Sequence, residues 1–372
     1  MPSGKAKESR AFQSPSRYIQ GPGELRNLPV FAANYGPTAL AIIDTFFYPE
    51  YSVKIPELFQ AAGMTAWTVE FSGASSDEAL ERLIAFCRTL PQIPDTFIGI
   101  GGGQTCDINK AVGATFRKAL FQRSHRFDHR RPHLHPYHHQ QSSRAAPSDG
   151  PLQNPDYVVV DTEITVQAPA WMMVSGIGDA LATYIEAQAS FANNNVCNAG
   201  AGDYRPTLMA MSAAKLSYEI LLEEGRSAIR AARQHLRTPA YEDVVEATVL
   251  LSGLGFECTG VSIAHGLQAG FHVLPVKPLL HGTGVGYCTL IQLIVQNDSR
   301  FGEIFSFCRD IGLPVCTQDL GLTPENRDAS ICALVDEVYG KRWNVANVPH
   351  YFSRQTLIDA IYYLDAYAAE QA

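Results

Sequence analysis

Short apolar runs alternate with amphipathic segments in the first part of the chain. The runs 38–44, 66–71 and 96–100 are the length of buried strands and are bounded by polar or glycine-containing stretches. Between the last two, the segment 76–90 has apolar residues at helical spacing and acidic residues at its start, which predicts a helix. A further apolar run at 157–161 predicts another strand. Strands that alternate with helices indicate a parallel sheet covered by helices.

The pattern changes to a helical periodicity after about residue 168. We expect residues 1–165 to form an α/β dinucleotide-binding domain and residues 166–372 to form an all-α second domain. The helices predicted in the second domain are 175–191, 206–223, 242–256, 259–274, 284–296, 301–311, 327–338 and 355–369.

Composition narrows the class of protein. The 372 residues are 46% hydrophobic, which is typical of a folded globular chain, and the net charge of −8 argues against nucleic acid as a partner. We expect no membrane partner, because no apolar run reaches the roughly 18 residues of a membrane span. The 8 cysteines form no CxxC pair, which predicts reduced thiols and a cytoplasmic protein, with a mitochondrial leader as the alternative.

A glycine-rich turn follows the strand predicted at 96–100. Gly101, Gly102 and Gly103 lie between this strand and a helical pattern, where glycines let a backbone approach a pyrophosphate. Asp44 ends an earlier predicted strand, where its carboxylate could accept hydrogen bonds from ribose hydroxyls. The alternative is an ordinary glycine-rich turn, but the strand–turn–helix context favours phosphate binding.

Three residues that are far apart in sequence have the chemistry of an open catalytic metal site. They are Asp179 early in a predicted helix, His265 in another helical segment, and His281 before a glycine. One carboxylate and two imidazoles leave a fourth position for a substrate oxygen. Each histidine taken alone is more simply explained as a packed core residue. Thr183, one helical turn after Asp179, lies on the same predicted face but is a poor ligand for a borderline metal.

These motifs resemble those of the glycerol dehydrogenases, within the iron-containing alcohol dehydrogenase superfamily. The resemblance extends over nearly all of the chain except 114–150. It is carried by RYIQGPG at 17–23, GIGGGQTCD at 99–107, NPDYVVVDTEI at 154–164, GIGDALATYIEA at 176–187, LLSGLGFE at 250–257, AHG at 264–266, LHG at 280–282 and FCRDIGLPV at 307–315.

The resemblance implies both cofactors and their residues. It implies NAD bound between the two domains and Zn²⁺ bound by Asp179, His265 and His281, with these three as the catalytic residues. It assigns Asp44, Gly102, Gly103 and Gln104 to NAD, although lysine is usual at the position of Gln104. Superfamily members that use iron commonly have a further histidine where this chain has Thr183, which favours the zinc-dependent, polyol-oxidising branch. The implied reaction converts glycerol to dihydroxyacetone, in a chain expected to be a homo-oligomer.

The segment 114–150 departs from the family pattern. It contains six of the 11 histidines and almost no apolar periodicity. At this place relatives have a strand and a loop close to PTIASTDAPTS. If the codons for 124–134 are read one base later, they permit Pro-Thr at the start and Thr-Asp-Ala-Pro-Thr-Ser at the end. We therefore hypothesise that the segment is the family loop in the wrong reading frame. A divergent loop and a His-rich metal-binding tract are the alternatives.

This departure has consequences for order and for activity. A charged Arg/His run cannot fill a buried strand without cost, so we expect residues 117–150 to be poorly ordered. We also expect low activity in the chain as written, because the Ser, Thr and Asp groups near nicotinamide and polyol are missing. The alternatives for function are therefore a catalytically impaired homologue, or a dehydrogenase of another small alcohol or aldehyde.

Overall fold

The computed structural model describes residues 8–124, 154–197, 199, 203–341 and 343–371. The chain divides into two compact units, Ser14–Ala168 and a second unit that joins the residues up to Gln13 to Pro169–Ala372.

The first unit is built on a six-stranded sheet in which every pair of neighbouring strands is parallel. Its strands are β2 (Arg17–Gly21), β3 (Thr38–Asp44), β4 (Thr65–Phe71), β5 (Thr96–Gly101), β6 (Ala119–Ser124) and β7 (Tyr157–Asp161), and its helices are α1 (Leu28–Ala32), α2 (Tyr48–Ala61), α3 (Asp77–Thr89), α4 (Gly103–Phe116) and α5 (Thr162–Thr165), with a 3-10 turn at Glu24–Asn27. The strand order in the sheet is β2-β7-β6-β5-β3-β4.

The sheet of this unit has an apolar layer on each face. One layer includes Ile43, Ile98 and Phe121, and the other includes Leu40 and Phe97. Successive residues of a strand point to opposite faces, so a strand buried on both faces is continuously apolar. The fold class and the parallel sheet predicted from the sequence are confirmed.

The second unit is almost entirely helical. Its helices are α6 (Ala170–Ala192), α7 (Leu208–Ala232), α8 (Pro239–Glu246), α9 (Ser252–Cys258), α10 (Ile263–Gln268), α11 (His281–Val295), α12 (Phe301–Ile311), α13 (Arg327–Val338) and α14 (Arg354–Glu370), with a π-helical turn at Ala247–Leu251 and 3-10 turns at Phe271–Val273 and Trp343–Ala346. The predicted helix 259–274 is therefore shorter than expected, and a turn separates α10 from Phe271–Val273.

Two short strands give the second unit a feature that the sequence did not predict. β1 (Arg10–Ala11) pairs with β8 (Arg205–Pro206) in a parallel arrangement. This pairing, together with the hydrogen bond from the Cys258 thiol to the Gln13 carbonyl oxygen (3.1 Å), groups the residues before Ser14 with the helices. The predicted boundaries, 1–165 and 166–372, had placed these N-terminal residues in the α/β domain.

The expectation of disorder over 117–150 is wrong for its first part. Residues 119–124 form β6, which lies between β5 and β7 in the sheet. Most of the Arg/His-rich run follows this strand. Within the strand, Leu120 and Phe121 are buried, and the Gln122 side chain donates to the Cys106 carbonyl oxygen at 3.0 Å. Residues 125–150, including most of the segment assigned to a wrong reading frame, lie outside the described residues.

In the described part of the chain, no single helix is long and apolar enough to cross a membrane. One bent pair, Pro239–Cys258 with Ile263–Val273, reaches the required length and composition only when its two arms are counted together.

Candidate metal and dinucleotide sites

Asp179, His265 and His281 come together in the helical unit. They lie on α6, on α10 and at the first residue of α11, and their ligand atoms are all within 4.8 Å of one another. Asp179 Oδ1 is 3.2 Å from His265 Nε2 and 3.7 Å from His281 Nε2. The His281 side chain is 32% exposed, whereas that of Asp179 is 4% exposed, so the cluster is open on the side of His281.

Glycines let the two helices that carry Asp179 and His281 approach each other. A Cβ on Gly282 would lie 1.9 Å from the Ser175 carbonyl oxygen and 2.9 Å from the Asp179 Cβ. A Cβ on Gly178 would lie 2.5 Å from the Gly282 carbonyl oxygen. No side chain fits at either position, which explains the glycines beside Asp179 and His281 in the sequence.

A fourth charged residue, Glu186, takes part in this arrangement, and the sequence analysis did not identify it. Glu186 is on α6, and one of its carboxylate oxygens accepts from the backbone N–H groups of Ser262 (2.8 Å) and His265 (2.9 Å). The other oxygen is bonded to His265 Nδ1. Its sequence signal was its place two helical turns after Asp179, on the same face of the helix.

Thr183 has a different environment from the metal-binding cluster. Its hydroxyl is 2.8 Å from the Ser252 hydroxyl, and both residues are buried. Two further histidines of this unit, His235 and His272, are both exposed.

The donor set fits a catalytic zinc ion. One carboxylate and two imidazole nitrogens form a typical three-residue ligand set for catalytic Zn²⁺, which leaves a fourth position for another ligand. His265 Nδ1 contacts the Glu186 carboxylate, and Nε2 is directed at Asp179. Many metal-binding histidines likewise contact a carboxylate through the ring nitrogen that does not bind the metal. The geometry therefore supports the predicted ligand set.

In the α/β unit, the glycine turn has the predicted strand–turn–helix setting. β5 ends at Gly101, Gly102 has extended backbone angles, and α4 begins at Gly103. A Cβ on Gly101 would lie 2.5 Å from the Thr105 hydroxyl and 2.8 Å from the Asp44 Cβ, so this position has room only for glycine. The first N–H groups of α4 have no partner within the helix and carry a positive potential, which suits a phosphate.

The side chains beside this turn contribute unequally. Gln104 Oε1 accepts from both the backbone N–H and the hydroxyl of Ser75, each at 2.8 Å. This oxygen therefore stabilises the loop before α3. Asp44 ends β3, and its carboxylate accepts from the Phe46 N–H at 3.0 Å while remaining partly exposed.

The cysteines form no disulfide and are all free thiols. Burial raises the pKa of Cys87 to about 11 and that of Cys308 to about 12. These two thiols remain protonated at neutral pH and are not nucleophiles.

The fold and the ligand set together are those of a metal-dependent alcohol dehydrogenase, and sequence comparison identifies the class directly. The model of the iron-containing alcohol dehydrogenase family matches residues 15–137. A glycerol dehydrogenase of Thermotoga maritima is 32% identical over an alignment that covers 95% of this chain and 96% of the relative. This chain belongs to the iron-containing alcohol dehydrogenase family.

Two further comparisons cover most of the chain. The crystal structure of glycerol dehydrogenase from Schizosaccharomyces pombe superposes with a TM-score of 0.88 at 26% identity, covering 99% of this chain and 93% of that one. A glycolaldehyde reductase of Halobacterium salinarum is 32% identical over 87% of this chain and 88% of the relative. The resemblance to the glycerol dehydrogenases deduced from the sequence is confirmed.

Proposed function

We propose that this chain oxidises glycerol to dihydroxyacetone, or a related vicinal polyol to the corresponding hydroxyketone, with NAD as the hydride acceptor. The observation that carries the proposal is the cluster of Asp179, His265 and His281 in a chain similar to glycerol dehydrogenases. Such a ligand set suits Zn²⁺, which when bound supplies Lewis acidity toward a hydroxyl, while NAD accepts the hydride.

In this proposal, the residues of the helical unit bind the metal ion and orient the polyol. Asp179 contributes one negative charge, and the two imidazoles contribute neutral nitrogen ligands. The partial exposure of His281 gives a small polyol access to the cluster. The buried surroundings of Asp179 limit the water around it, which strengthens its interaction with a cation.

The residues of the α/β unit supply the cofactor contacts of the proposal. Gly102 and Gly103 allow the pyrophosphate to approach the first N–H groups of α4. The backbone N–H of Gln104 belongs to the same turn of helix, and its side chain supports the loop through Ser75. Asp44 accepts hydrogen bonds from the hydroxyls of the adenosine ribose.

The proposal also includes a homo-oligomer that acts in the cytoplasm without a nucleic-acid or membrane partner. Eight free thiols support a reducing compartment. Light scattering on the purified protein measures its oligomeric state, and fractionation of the source cells measures its location.

The test of the proposed activity is a pair of histidine variants. His281→Ala is expected to lose zinc and the zinc-dependent oxidation of glycerol. His272→Ala removes an exposed histidine and is expected to retain both. Zinc content is measured by atomic spectroscopy and NAD binding by fluorescence. Turnover is measured as the oxidation of glycerol and of vicinal diols, and as the reduction of glycolaldehyde. If the wild-type chain binds zinc and NAD but turns over none of these substrates, the proposed activity is wrong.

The segment 114–150 calls for a second form of the protein in the same assays. We would sequence the transcript across these codons and prepare both the chain as written and a chain with the loop read one base later. Higher activity of the second form supports the reading-frame hypothesis. Equal activity of both forms shows that the written residues serve as well.

A further inference from the structure

Glu186 is a buried carboxylate next to the candidate metal ligands. It lies on α6, seven residues after Asp179, and it is 1% exposed. A carboxylate is costly to bury unless hydrogen bonds compensate for the lost water. The partners of Glu186 are therefore central to its role.

All three of its hydrogen bonds involve α10 or the residue before it. Oε1 accepts from the backbone N–H groups of Ser262 at 2.8 Å and His265 at 2.9 Å. Oε2 is hydrogen-bonded to His265 Nδ1. The same carboxylate thus fixes both the backbone and the ring of His265, so that the ring can neither rotate nor move along α10 without breaking one of these bonds.

Support of the α10 backbone alone does not require this carboxylate. Gln292, on α11, also stabilises the beginning of α10, because its Oε1 accepts from the Ala264 N–H at 3.0 Å. An amide is therefore sufficient for that purpose. The bond to the ring nitrogen of His265 is what distinguishes Glu186 from Gln292.

We propose that Glu186 is the positioning residue of the metal site, which keeps the His265 proton on Nδ1 and leaves the lone pair of Nε2 for the metal. This inference rests on the proposed zinc-dependent function. A carboxylate has no proton to donate, so it selects the ring form that carries its proton on Nδ1. The opposite tautomer places the proton on Nε2, 3.2 Å from Asp179 Oδ1, where the metal would bind.

The decisive variant is Glu186→Gln. Its amide oxygen can replace Oε1 at the N–H groups of Ser262 and His265, but its NH₂ group then faces Nδ1. The ring must accept this hydrogen bond and move its proton to Nε2. We expect zinc affinity, measured by competition with a chromogenic chelator, to fall about 10- to 100-fold.

The matched control is Gln292→Met, which removes a side-chain hydrogen bond to the backbone of the same short helix and leaves Glu186 in place. We expect it to lower the melting temperature while zinc affinity changes by less than about twofold, since the hydrogen bonds between His265 and Glu186 remain. An equal loss of zinc affinity in both variants would show that only the backbone of α10 matters, and would overturn the proposal.

A direct measurement of the tautomer does not depend on activity. In the zinc-free protein both ring nitrogens face a carboxylate, but Nδ1 lies closer to Glu186 than Nε2 does to Asp179. ¹⁵N-histidine spectra of the zinc-free wild-type protein, recorded at a pH where the His265 ring is neutral, should therefore show the proton on Nδ1, and zinc-free Glu186→Gln should show it on Nε2. A wild-type ring with its proton on Nε2 overturns the inference, even if the variant fails to fold.

The two proposals can fail separately. If the wild-type chain binds zinc tightly but does not oxidise polyols, the proposed activity fails and the role of Glu186 stands. If it binds no zinc, the zinc chemistry fails, and the tautomer in the zinc-free protein still decides the role of Glu186.

Discussion

The candidate site of the α/β unit consists mainly of backbone, whereas that of the helical unit consists of side chains. At the turn from Gly101 to Gly103, the chemistry comes from N–H groups at the beginning of α4. In the helical unit, it comes from Asp179, His265 and His281, whose positions depend on the contacts between three helices. The two sites should therefore respond differently to substitution.

The difference explains where each site tolerates change. A phosphate-binding turn depends mainly on its backbone conformation, so the side chains in it can vary. Gln104, at a position where relatives usually have lysine, instead accepts two hydrogen bonds from Ser75. A metal site needs each donor atom in place within a few tenths of an ångström, so the glycines that bring its helices together are as necessary as the ligands.

The largest effect is expected from Gly282→Ala. The new Cβ would meet the Ser175 carbonyl oxygen at 1.9 Å and the Asp179 Cβ at 2.9 Å. Because these atoms belong to a packed helix, α6 and α11 must move apart. Overpacking of this kind costs about 1–3 kcal/mol, and it also separates Asp179 from His281. Thermal unfolding and zinc titration measure the two effects.

The control is Gly302→Ala on α12, where the nearest atom to a new Cβ is the Tyr367 hydroxyl at 3.6 Å. This variant should be neutral, or more stable by up to about 1 kcal/mol, because alanine favours a helix over glycine. Unchanged zinc affinity in Gly282→Ala would contradict the importance that we assign to the close helix contact.

A smaller effect is expected from Gln104→Ala at the other site. The variant loses two hydrogen bonds to Ser75, which together contribute about 1–3 kcal/mol to the loop. The N–H groups of α4 remain, so we expect the dissociation constant of NAD to rise less than about tenfold. Isothermal titration calorimetry measures it, with the exposed residue Gln60 changed to alanine as the control.

A loss of NAD binding in Gln104→Ala far beyond tenfold would place the side chain, and not the backbone, at the centre of the phosphate site. Gly101→Ala gives the contrast, because its Cβ would lie 2.5 Å from the Thr105 hydroxyl. If backbone geometry dominates, this one-carbon change should weaken NAD binding more than the loss of the whole Gln104 side chain does.

The sequence predicted the sheet and the ligand set because each leaves a local signal. Four continuous apolar or glycine-bounded segments identified strands, and glycines marked the neighbourhoods of Asp179 and His281. β6 was missed because its buried residues, such as Leu120 and Phe121, stand directly before a charged run, and the whole segment was interpreted by its average composition.

Glu186 was missed for a different reason. Its role depends on an acceptor geometry toward Ser262 and His265, which are 76 and 79 residues away in the sequence. The spacing from Asp179 places Glu186 on the same helix face, but this local pattern does not show the contact with Ser262 and His265. Similarly, β1 and β8 are only two residues long and are far apart in the sequence, so periodicity could not reveal them.

Each unit also holds a partly buried aspartate whose pKa lies below the ordinary value of 3.8, Asp298 in the helical unit and Asp95 in the α/β unit, which allows a matched comparison of their acid stability. In the helical unit, the Arg300 guanidinium lowers the pKa of Asp298 through a hydrogen bond of 2.9 Å. In the α/β unit, burial opposes the shift, but hydrogen bonds from Thr38 and Lys118 lower the pKa of Asp95. The two side chains are equally exposed, at 18%.

The smallest effects are expected from Asp298→Asn and Asp95→Asn. A carboxylate with a lowered pKa in the folded state stabilises the fold above pH 3.8, and this contribution disappears as the pH falls through the lowered value. Each variant should therefore be less stable than wild type near neutral pH, by up to about 1 kcal/mol, and should approach wild type below pH 3.8. Chemical denaturation between about pH 7 and pH 3 measures the difference. Because both side chains are equally exposed, a large loss of stability in only one of the two variants would show that acid stability is concentrated in that unit. If a variant differs from wild type by the same free energy of unfolding at every pH, the ionised carboxylate is not the source of the difference.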